Sequence, residues 1–544
     1  MIYCPDCGSE LLFDSASQMM VCGYCKNRFD PYKLKDNLSN DAKTQVFFDS
    51  YAYICPSCGA EIDTADKNDA VGFCPYCKGS SMIFDKLRRD WTPEGIVPFM
   101  ITKEQCKQLY CAQVKKYFFV SGKFRNPDLI EEFRGIYMPY CRFRGEVDGP
   151  VSLRAEGSEV DIGNYYYRTD YYDLKGTARY TITEKIAHDA SAAFDDHISE
   201  RLGDFDERQM KSFNPAYLSG YYAESGNADM NEYLSLTHDE MQPFICEHMK
   251  NDIAVKTVSD GLKLTINPSH AENSVPIHMV TSNRRLFPVW FMSYRRGEKI
   301  TYAAVNGQTG KVAADLPLSP VKILVTAFII SAVIFGLLMF GMNYLPTIPA
   351  SATLGVCTML GFAGMYVLQH CYIRTIGVAL HQKEMTKKLP AGFFVQSIIA
   401  AASIILITTD GTYEKYRYLA GIVLGVISFG SLLLGYLLSQ STLTGKIKKI
   451  QLKGESMRSN GILLSARKFN RINALMRTVM LISLIAVIPF IILNDKSNMF
   501  YYGLAVVEAA ELFALTIMHI MFQSSIASRR LPQFNKKGAA YDKI

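Results

Sequence analysis

The 544-residue sequence lacks the short motifs that mark several common enzyme classes. It contains no G-x-x-x-x-G-K-[ST] loop for nucleotide phosphates, no HExxH pair for a catalytic zinc ion and no GxSxG turn for a serine nucleophile. The nine histidines have no partner that the sequence identifies. These absences argue against a P-loop NTPase, an HExxH metalloprotease and a GxSxG hydrolase. We therefore expect a protein without enzymatic activity.

The pattern of a cleavable signal peptide, a charged segment followed by an apolar one, is missing from the N-terminal residues MIYCPDCGSE. We therefore expect the N-terminus to lie in the cytosol. Acidic residues are scarce in 321–544, which hold 22 Lys and Arg but 8 Asp and Glu. Residues 1–320 are acidic instead, with 36 basic and 44 acidic residues. This split and the chain length predict more than one domain.

Eight of the 14 cysteines form four CxxC pairs near the N-terminus. The pairs combine into two repeats of similar spacing, Cys4-x2-Cys7-x14-Cys22-x2-Cys25 and Cys55-x2-Cys58-x15-Cys74-x2-Cys77. Two such pairs supply the four thiolates of a tetrahedral zinc site. Disulfides and thioredoxin-like redox pairs are the alternatives, but the first lack an oxidising compartment and the second a βαβ context. The spacing predicts two zinc ions, both structural because four thiolates leave no open coordination position.

The charge of the cysteine-rich region bears on what it binds. Residues 1–90 contain 10 basic and 13 acidic residues, and each zinc ion with four thiolates adds a formal charge of about −2. Nucleic-acid binding usually depends on a basic surface that releases counterions from the phosphates. The acidic balance therefore disfavours a nucleic-acid partner and favours protein binding.

Changes of pattern along the chain predict five regions. Two small β zinc ribbons are expected at 1–30 and 50–90, and an α+β soluble domain at 92–320. An all-α membrane domain of about six helices is expected at 321–524, followed by a basic cytoplasmic tail at 525–544. The predicted fold class is therefore multidomain.

Within 92–320 the periodicity of apolar residues predicts individual elements. Helices are expected at 102–119, 195–212 and 228–250. Strands are expected at 134–145, 163–172, 175–184, 261–267, 286–295, 298–305 and 310–315. The sequence NGQTG at 306–310 predicts a hairpin turn, because Asn and Gly tolerate positive φ.

Apolar runs after Pro320 have the length that crosses a bilayer core of about 30 Å. The six runs are 322–344, 349–370, 391–408, 418–438, 474–493 and 499–522. Basic residues accumulate in alternate connections, at 371–390, 439–477 and after 522, which together hold 18. Since Lys and Arg favour the cytoplasmic side, the pattern predicts a multi-pass protein of the plasma membrane with both termini cytoplasmic.

Two carboxylates interrupt the last apolar run. Glu508 and Glu511 are three residues apart, on one face of a helix, at a depth where ionisable groups are costly and often functional. They are a candidate intramembrane polar site for a proton or a cation. The structural alternative is a pair of protonated carboxyls hydrogen-bonded to Ser or Thr of a neighbouring helix.

Several segments accompany the ribbons: IYMPYCRF at 136–143, FNPAYLSGYYAE at 213–224, and FPVWFMSYRR and YAAVNGQTGKVAADLPLS within 287–319. Together they resemble the YdjG-like, membrane-anchored tandem zinc-ribbon proteins of Gram-positive bacteria, over roughly residues 1–345. The resemblance implies TFIIB-type zinc ribbons and carries over the eight cysteines as zinc ligands. Such proteins are often labelled PriA-type primosomal helicases, a label that the missing P-loop argues against.

The resemblance implies an adaptor near a membrane, associated with PspA-like, ESCRT-III-related remodelling proteins and with SPFH-domain proteins. Our first hypothesis is accordingly a non-enzymatic membrane scaffold whose ribbons recruit cytosolic proteins, with the bilayer as a second partner. A transporter or channel with a regulatory ribbon region is the alternative, because six apolar runs exceed the one or two usual in the family. A membrane-tethered nucleic-acid binder is a third possibility. Homo-oligomerisation stays open.

Overall fold

The computed structural model describes most of the chain up to residue 329 and two long helices further on. The ranges described without gaps are 2–34, 47–64, 73–161, 166–182, 264–266 and 350–379. The ranges 187–226, 277–329 and 497–532 are described apart from single positions. Between 399 and 489 the structure describes isolated helical positions. The predicted helix at 228–250 lies outside these residues. So do the apolar runs at 391–408 and 418–438, apart from isolated positions.

The first ribbon is a three-stranded antiparallel sheet. Its strands are β1 (Leu11–Asp14), β2 (Met19–Cys22) and β3 (Arg28–Phe29). Alternation along β1 buries Leu11 and Phe13 and exposes Leu12 between them. The turn to β2 is held by Asp14, whose carboxylate accepts hydrogen bonds from the Ser17 amide and hydroxyl. The ribbon therefore has one apolar face, which must pack against another part of the molecule.

The strands of the second ribbon belong to a much larger sheet. β4 (Phe47–Ile54) lies between β5 (Glu61–Thr64) and β6 (Ile83–Trp91) and pairs antiparallel with both. Aromatic and β-branched residues dominate β4, as is typical of a strand with neighbours on either side.

The described residues of the following region supply most of the other strands of that sheet and three α-helices. These elements are β7 (Gly95–Ile96), α1 (Lys103–Lys115), α2 (Pro127–Glu131), β8 (Arg134–Asp161), β9 (Tyr166–Ile182), β10 (Ala187–Asp189), α3 (Asp196–Leu202), β11 (Tyr222–Ala223), β12 (Leu264–Ile266), β13 (Ile277–Arg296), β14 (Lys299–Asn306) and β15 (Val312–Ala314). The predicted helix at 102–119 is confirmed as α1, which begins with a capping box of Thr102 and Gln105. The predicted turn at 306–310 is confirmed too, with Gly310 at φ +76°.

The short strand β11 connects the second ribbon to the rest of the sheet. The strand order is β15-β14-β13-β8-β11-β5-β4-β6, while β9, β10 and β12 also pair with β8 and β7 pairs with β13. In β11, Ala223 lies opposite Asp63 of β5 and Tyr222 lies opposite Ile136 of β8. One continuous sheet therefore runs from the second ribbon into the α+β region.

The two faces of this sheet carry two separate apolar cores. On β13, Trp290 and Met292 join a core that contains the buried residues of the first ribbon. Val289 and Phe291, which alternate with them, join a core on the other face that contains all four cysteines of the second ribbon. The two predicted zinc sites consequently belong to cores on opposite faces of the sheet.

Near the C-terminus the structure describes two helices of 30 residues, α4 (Ala350–Ala379) and α5 (Asn498–Ala527). Thr358 of α4 donates a hydrogen bond to Glu508 of α5. After α5 the chain forms β16 (Arg529–Arg530), which pairs with β14 at the edge of the large sheet. The end of α5 is thereby attached to the sheet.

The prediction of a membrane domain of about six helices, and with it that of a multi-pass membrane protein, was wrong. Among the described residues, one helix, Met499–Ser524, is long and apolar enough to cross a membrane. The error has a physical cause: hydropathy counts apolar residues along the chain, and such a count does not distinguish a membrane span from an apolar helix that packs inside a protein.

Candidate metal centres

All four CxxC pairs adopt the same backbone turn. The amide of the residue after the second cysteine donates to the carbonyl of the first at 2.8 to 3.1 Å, from Gly8 to Cys4, Lys26 to Cys22, Gly59 to Cys55 and Lys78 to Cys74. The φ angle of that residue lies between 61° and 81° in every case. Glycine adopts this left-handed conformation readily, whereas a lysine does so at a cost. The same local turn thus aims each pair of thiols at one point.

In the first ribbon the four sulfur atoms form one cluster. Cys4 Sγ lies 3.5 Å from Cys25 Sγ, and Cys7 Sγ lies 3.4 Å from Cys22 Sγ. A tetrahedral site with Zn–S bonds of about 2.3 Å separates its sulfurs by about 3.8 Å, whereas a disulfide joins them at about 2.05 Å. The spacing fits a four-thiolate metal site. Its surroundings are uneven, since Cys4 and Cys22 are buried and Cys7 is exposed.

The second ribbon holds an equivalent cluster that is buried throughout. Cys55 Sγ lies 3.6 Å from Cys77 Sγ, and Cys58 Sγ lies 3.7 Å from Cys74 Sγ. The Gly79 backbone closes over the sulfurs, with its amide donating to Cys77 Sγ at 3.3 Å. A methyl group at Gly79 would lie 3.2 Å from Cys77 Sγ and 3.3 Å from Cys55 Sγ, so a larger residue would crowd the site.

The protonation of these thiols depends on their neighbours. Hydrogen bonds from Ser9 lower the pKa of the Cys7 thiol to about 6. In the buried cluster, the hydrogen bond from Cys58 lowers the pKa of Cys55, whereas the contact with Cys55 raises the pKa of Cys74. Four thiols at this distance cannot all ionise without a cation. Metal binding there would therefore release protons.

The chemistry of the two clusters points to metal ions that prefer soft sulfur ligands, consistent with two zinc sites. Each cluster supplies four cysteines, so all four coordination positions of a tetrahedral zinc ion would be taken by protein ligands. No position would be left for a substrate. The predicted residues are brought together in the predicted sets: Cys4, Cys7, Cys22 and Cys25 in one, and Cys55, Cys58, Cys74 and Cys77 in the other.

The first ribbon packs its apolar face on the segment 213–221. The Phe13 and Tyr217 rings meet edge to face with their centroids 4.9 Å apart. Ser219 hydrogen-bonds β1 twice: its carbonyl accepts from the Phe13 amide at 3.1 Å, and its hydroxyl donates to the Leu11 carbonyl at 2.5 Å. Gln18 donates to the Phe99 carbonyl at 2.6 Å. These contacts hold the ribbon by one face and leave the opposite face exposed.

The second ribbon is held in place by side chains of the surrounding protein, including one from the large sheet. The Tyr302 hydroxyl donates to the Tyr76 carbonyl at 3.2 Å, in the knuckle between Cys74 and Cys77. The Lys78 ammonium group pairs with Glu132 and lies 4.8 Å from the centre of the Phe73 ring. The four-cysteine cluster of the second ribbon is therefore enclosed by protein contacts.

A buried carboxyl group lies beside the second ribbon and was not identified from the sequence. Glu224 follows β11, and burial raises the pKa of its carboxyl to about 8. The nearby side chains of Tyr76 and Ser191 partly oppose that increase in pKa. The only sequence signal was its place at the end of the segment FNPAYLSGYYAE, because nothing local marks Glu224 as buried.

The two carboxylates of the proposed intramembrane site have different surroundings. Glu508 is buried, and the Thr358 hydroxyl lies 2.9 Å from its Oε1 and 3.1 Å from its Oε2. The same hydroxyl lies 2.9 Å from the Leu354 carbonyl. Glu511 is partly exposed on α5. The structure thus brings Glu508 to a neighbouring helix, as the structural alternative predicted, and leaves Glu511 nearer the surface.

Comparison with known proteins finds a bacterial relative of this chain. The chain is 28% identical over 330 residues to the uncharacterized protein YdjG of Bacillus subtilis (strain 168), across 59% of this chain and 91% of YdjG. No protein-family model matches the chain, and no solved structure matches it. The similarity to a YdjG-like protein agrees with the resemblance seen in the sequence. Nothing in these comparisons supports the PriA helicase label.

Proposed function

We propose that this protein is a non-enzymatic adaptor whose zinc ribbons recruit protein partners. The observation that carries the proposal is the exposed face of the first ribbon. Its apolar face and two of its thiols are buried against the sheet, while Tyr3, Leu12 and Tyr24 are exposed. Tyr24 lies between two metal-binding cysteines and is 80% exposed. An aromatic residue on a rigid, metal-braced turn is well suited to protein recognition, because tyrosine is enriched at interfaces.

Charge supports a protein partner over a nucleic acid. Residues 1–90 carry more acidic than basic residues, and two zinc sites would make the balance still more negative. Nucleic-acid phosphates would be repelled by such a surface. A protein with basic or neutral polar groups around an apolar pocket fits it better.

The adaptor would be attached to a membrane through α5, whose segment Met499–Ser524 has the required length and apolarity. The YdjG-like resemblance supports PspA-like, ESCRT-III-related proteins and SPFH-domain proteins as the first partners to test. The zinc ions would brace the recognition surface and take no part in chemistry, because both sites use four cysteines.

The transporter alternative depends on Glu508 and Glu511. The hydrogen bond between Thr358 and Glu508 supports a packing role for Glu508, since a buried polar group between helices is stabilised by such a partner. Among the described residues nothing favours ion flux over this role. The adaptor is therefore the function that we propose.

The test is affinity purification of the tagged full chain from detergent-solubilised membranes, followed by mass spectrometry. We expect cytosolic proteins, PspA-like ones first, to copurify with the wild type and to be lost from Tyr24→Ala. The matched control is Leu87→Ala, which truncates an exposed apolar side chain of β6, outside the first ribbon. Identical partners in all three preparations, or none in any, would contradict recruitment by the first ribbon.

A further inference from the structure

Three consecutive aromatic residues are exposed just after the end of α1. Tyr117, Phe118 and Phe119, here called the aromatic tip, all present their rings at the surface, and Phe118 is 66% exposed. Single exposed apolar residues are ordinary on protein surfaces, but contiguous ones mark an interaction site. The Phe118 and Phe119 rings pack edge to face with centroids 5.3 Å apart and so form one apolar surface.

The aromatic tip is exposed on a turn whose flanking residues are buried. Val114, Val120 and Phe124 on either side of it are buried in the core that includes the first ribbon. The Val120 amide donates to the Tyr117 carbonyl at 3.2 Å, and Arg125 donates to the Val114 carbonyl at 3.4 Å. The rings therefore point outward from a backbone whose neighbours are held in place.

The chain on either side of the aromatic tip carries positive charge. Residues 115–126 contain four basic residues and no acidic one. All four are exposed: Lys115, Lys116, Lys123 and Arg125. A second copy of this chain would meet this surface with the same charge, so a symmetric contact between tips is disfavoured.

The aromatic tip is joined to an apolar helical segment at 320–329. Ser319 donates to the Phe119 carbonyl at 2.8 Å, and the Lys322 ammonium group donates to the Val120 carbonyl at 2.7 Å. The segment adds Lys322 to the positive charge and has no acidic residue. Its exposed apolar side chains extend the surface of the aromatic tip, and Phe328 is 75% exposed: Val321, Leu324, Val325, Phe328 and Ile329.

We propose that the aromatic tip and the 320–329 segment bind the surface of a bilayer that contains anionic lipid. Aromatic rings favour the boundary between headgroups and acyl chains, and exposed Lys and Arg are attracted to anionic headgroups. The apolar side chains of 320–329 would enter the same boundary region, as in interfacial helices. This lipid contact needs neither zinc ribbon, so the aromatic tip would bind lipid whether or not the ribbons recruit partners.

Photocrosslinking tests the proposal on the full chain reconstituted in vesicles. The photoreactive residue p-benzoylphenylalanine replaces Phe118 in one variant and Tyr24 of the first ribbon in the control. We expect lipid adducts by mass spectrometry from position 118 and few from position 24, with more from vesicles containing phosphatidylglycerol than from phosphatidylcholine alone. Because α5 is present in both variants, membrane attachment through that helix cannot produce the difference.

Charge reversal provides the second arm. Lys115→Glu together with Lys116→Glu should lower the lipid adducts at position 118 by about tenfold, because each basic residue near an anionic surface contributes to binding. The matched control reverses two exposed lysines elsewhere, Lys33→Glu with Lys175→Glu, and should leave the yield unchanged. Adducts to protein in place of lipid, or equal lipid labelling at positions 118 and 24, would overturn the proposal.

Discussion

The two zinc ribbons have the same local structure and opposite relations to the rest of the molecule. Both have two knuckles with left-handed residues after the second cysteine. The first lies on one face of the large sheet and keeps Cys7 exposed, whereas the second supplies strands to that sheet and buries all four cysteines. The comparison teaches that one four-cysteine pattern can form a module docked on a sheet in one place and part of a core in another.

The largest difference in stability between the two ribbons should follow from replacing one cysteine in each cluster. Cys74→Ser should destabilise the whole sheet, because structural zinc contributes on the order of 10 kcal/mol in small zinc domains and this cluster lies in the core. Cys7→Ser should release the metal of the first ribbon and leave the large sheet folded. Zinc content and thermal unfolding of the two purified variants are the measurements. Equal losses of thermal stability would remove the distinction between the ribbons.

The docking of the first ribbon is tested on adjacent residues of β1. Phe13→Ala should cost about 3 to 5 kcal/mol, because the ring is buried against Tyr217. Leu12→Ala, at the alternate position of the same strand, should cost less, about 1 kcal/mol, because Leu12 is 42% exposed. Urea unfolding gives both values. Limited proteolysis should show faster cleavage in the first ribbon of Phe13→Ala, and similar behaviour of the two variants would argue against a docked face.

The second ribbon should be the more sensitive of the two to pH through Glu224. Burial raises the pKa of this carboxyl in the folded protein from 4.5 to about 8, so the folded state binds its proton more tightly than the unfolded state. The contribution of Glu224 to stability is therefore most favourable below pH 4.5 and is lost as the pH rises to about 8.

Glu224→Gln should consequently reduce the loss of stability between pH 5 and pH 8. The measurement is the urea midpoint of wild type and variant across that interval at constant zinc concentration, which keeps the metal contribution common to both. Parallel curves for the two proteins would mean that Glu224 does not titrate in this range.

The smallest changes in the free energy of unfolding are expected at two lysines that follow the second cysteine of a CxxC pair, one in each ribbon. The two changes should have opposite signs. Lys26→Gly should be neutral or stabilising by at most about 1 kcal/mol, because glycine relieves the left-handed backbone and Lys26 is exposed. Lys78→Gly should destabilise by about 1 kcal/mol, because the pairing with Glu132 and the contact with Phe73 are lost. Chemical denaturation measures both. A stabilising Lys78→Gly would mean that the enclosure of the second ribbon contributes little.

Much of the local structure could be predicted because it depends on neighbouring residues. The CxxC spacing predicted both cysteine clusters, the apolar period predicted α1, and Asn306 to Gly310 predicted a turn. The membrane prediction failed because hydropathy carries no information on whether an apolar helix crosses a membrane or packs inside a protein. The aromatic tip was missed for a similar reason: Tyr117 to Phe119 continue the apolar pattern of α1 and differ from core residues only in their exposure.

By itself, the sequence determined which cysteines cluster and how each knuckle turns, because only two residues separate the cysteines of each pair and restrict them to one geometry. It also determined the acidic balance of residues 1–90. Only the tertiary structure decided that β5 meets β11 some 160 residues later, with Asp63 opposite Ala223, and that the two clusters lie in cores on opposite faces. Such pairings depend on the summed burial of the whole sheet, which no local pattern of residues encodes.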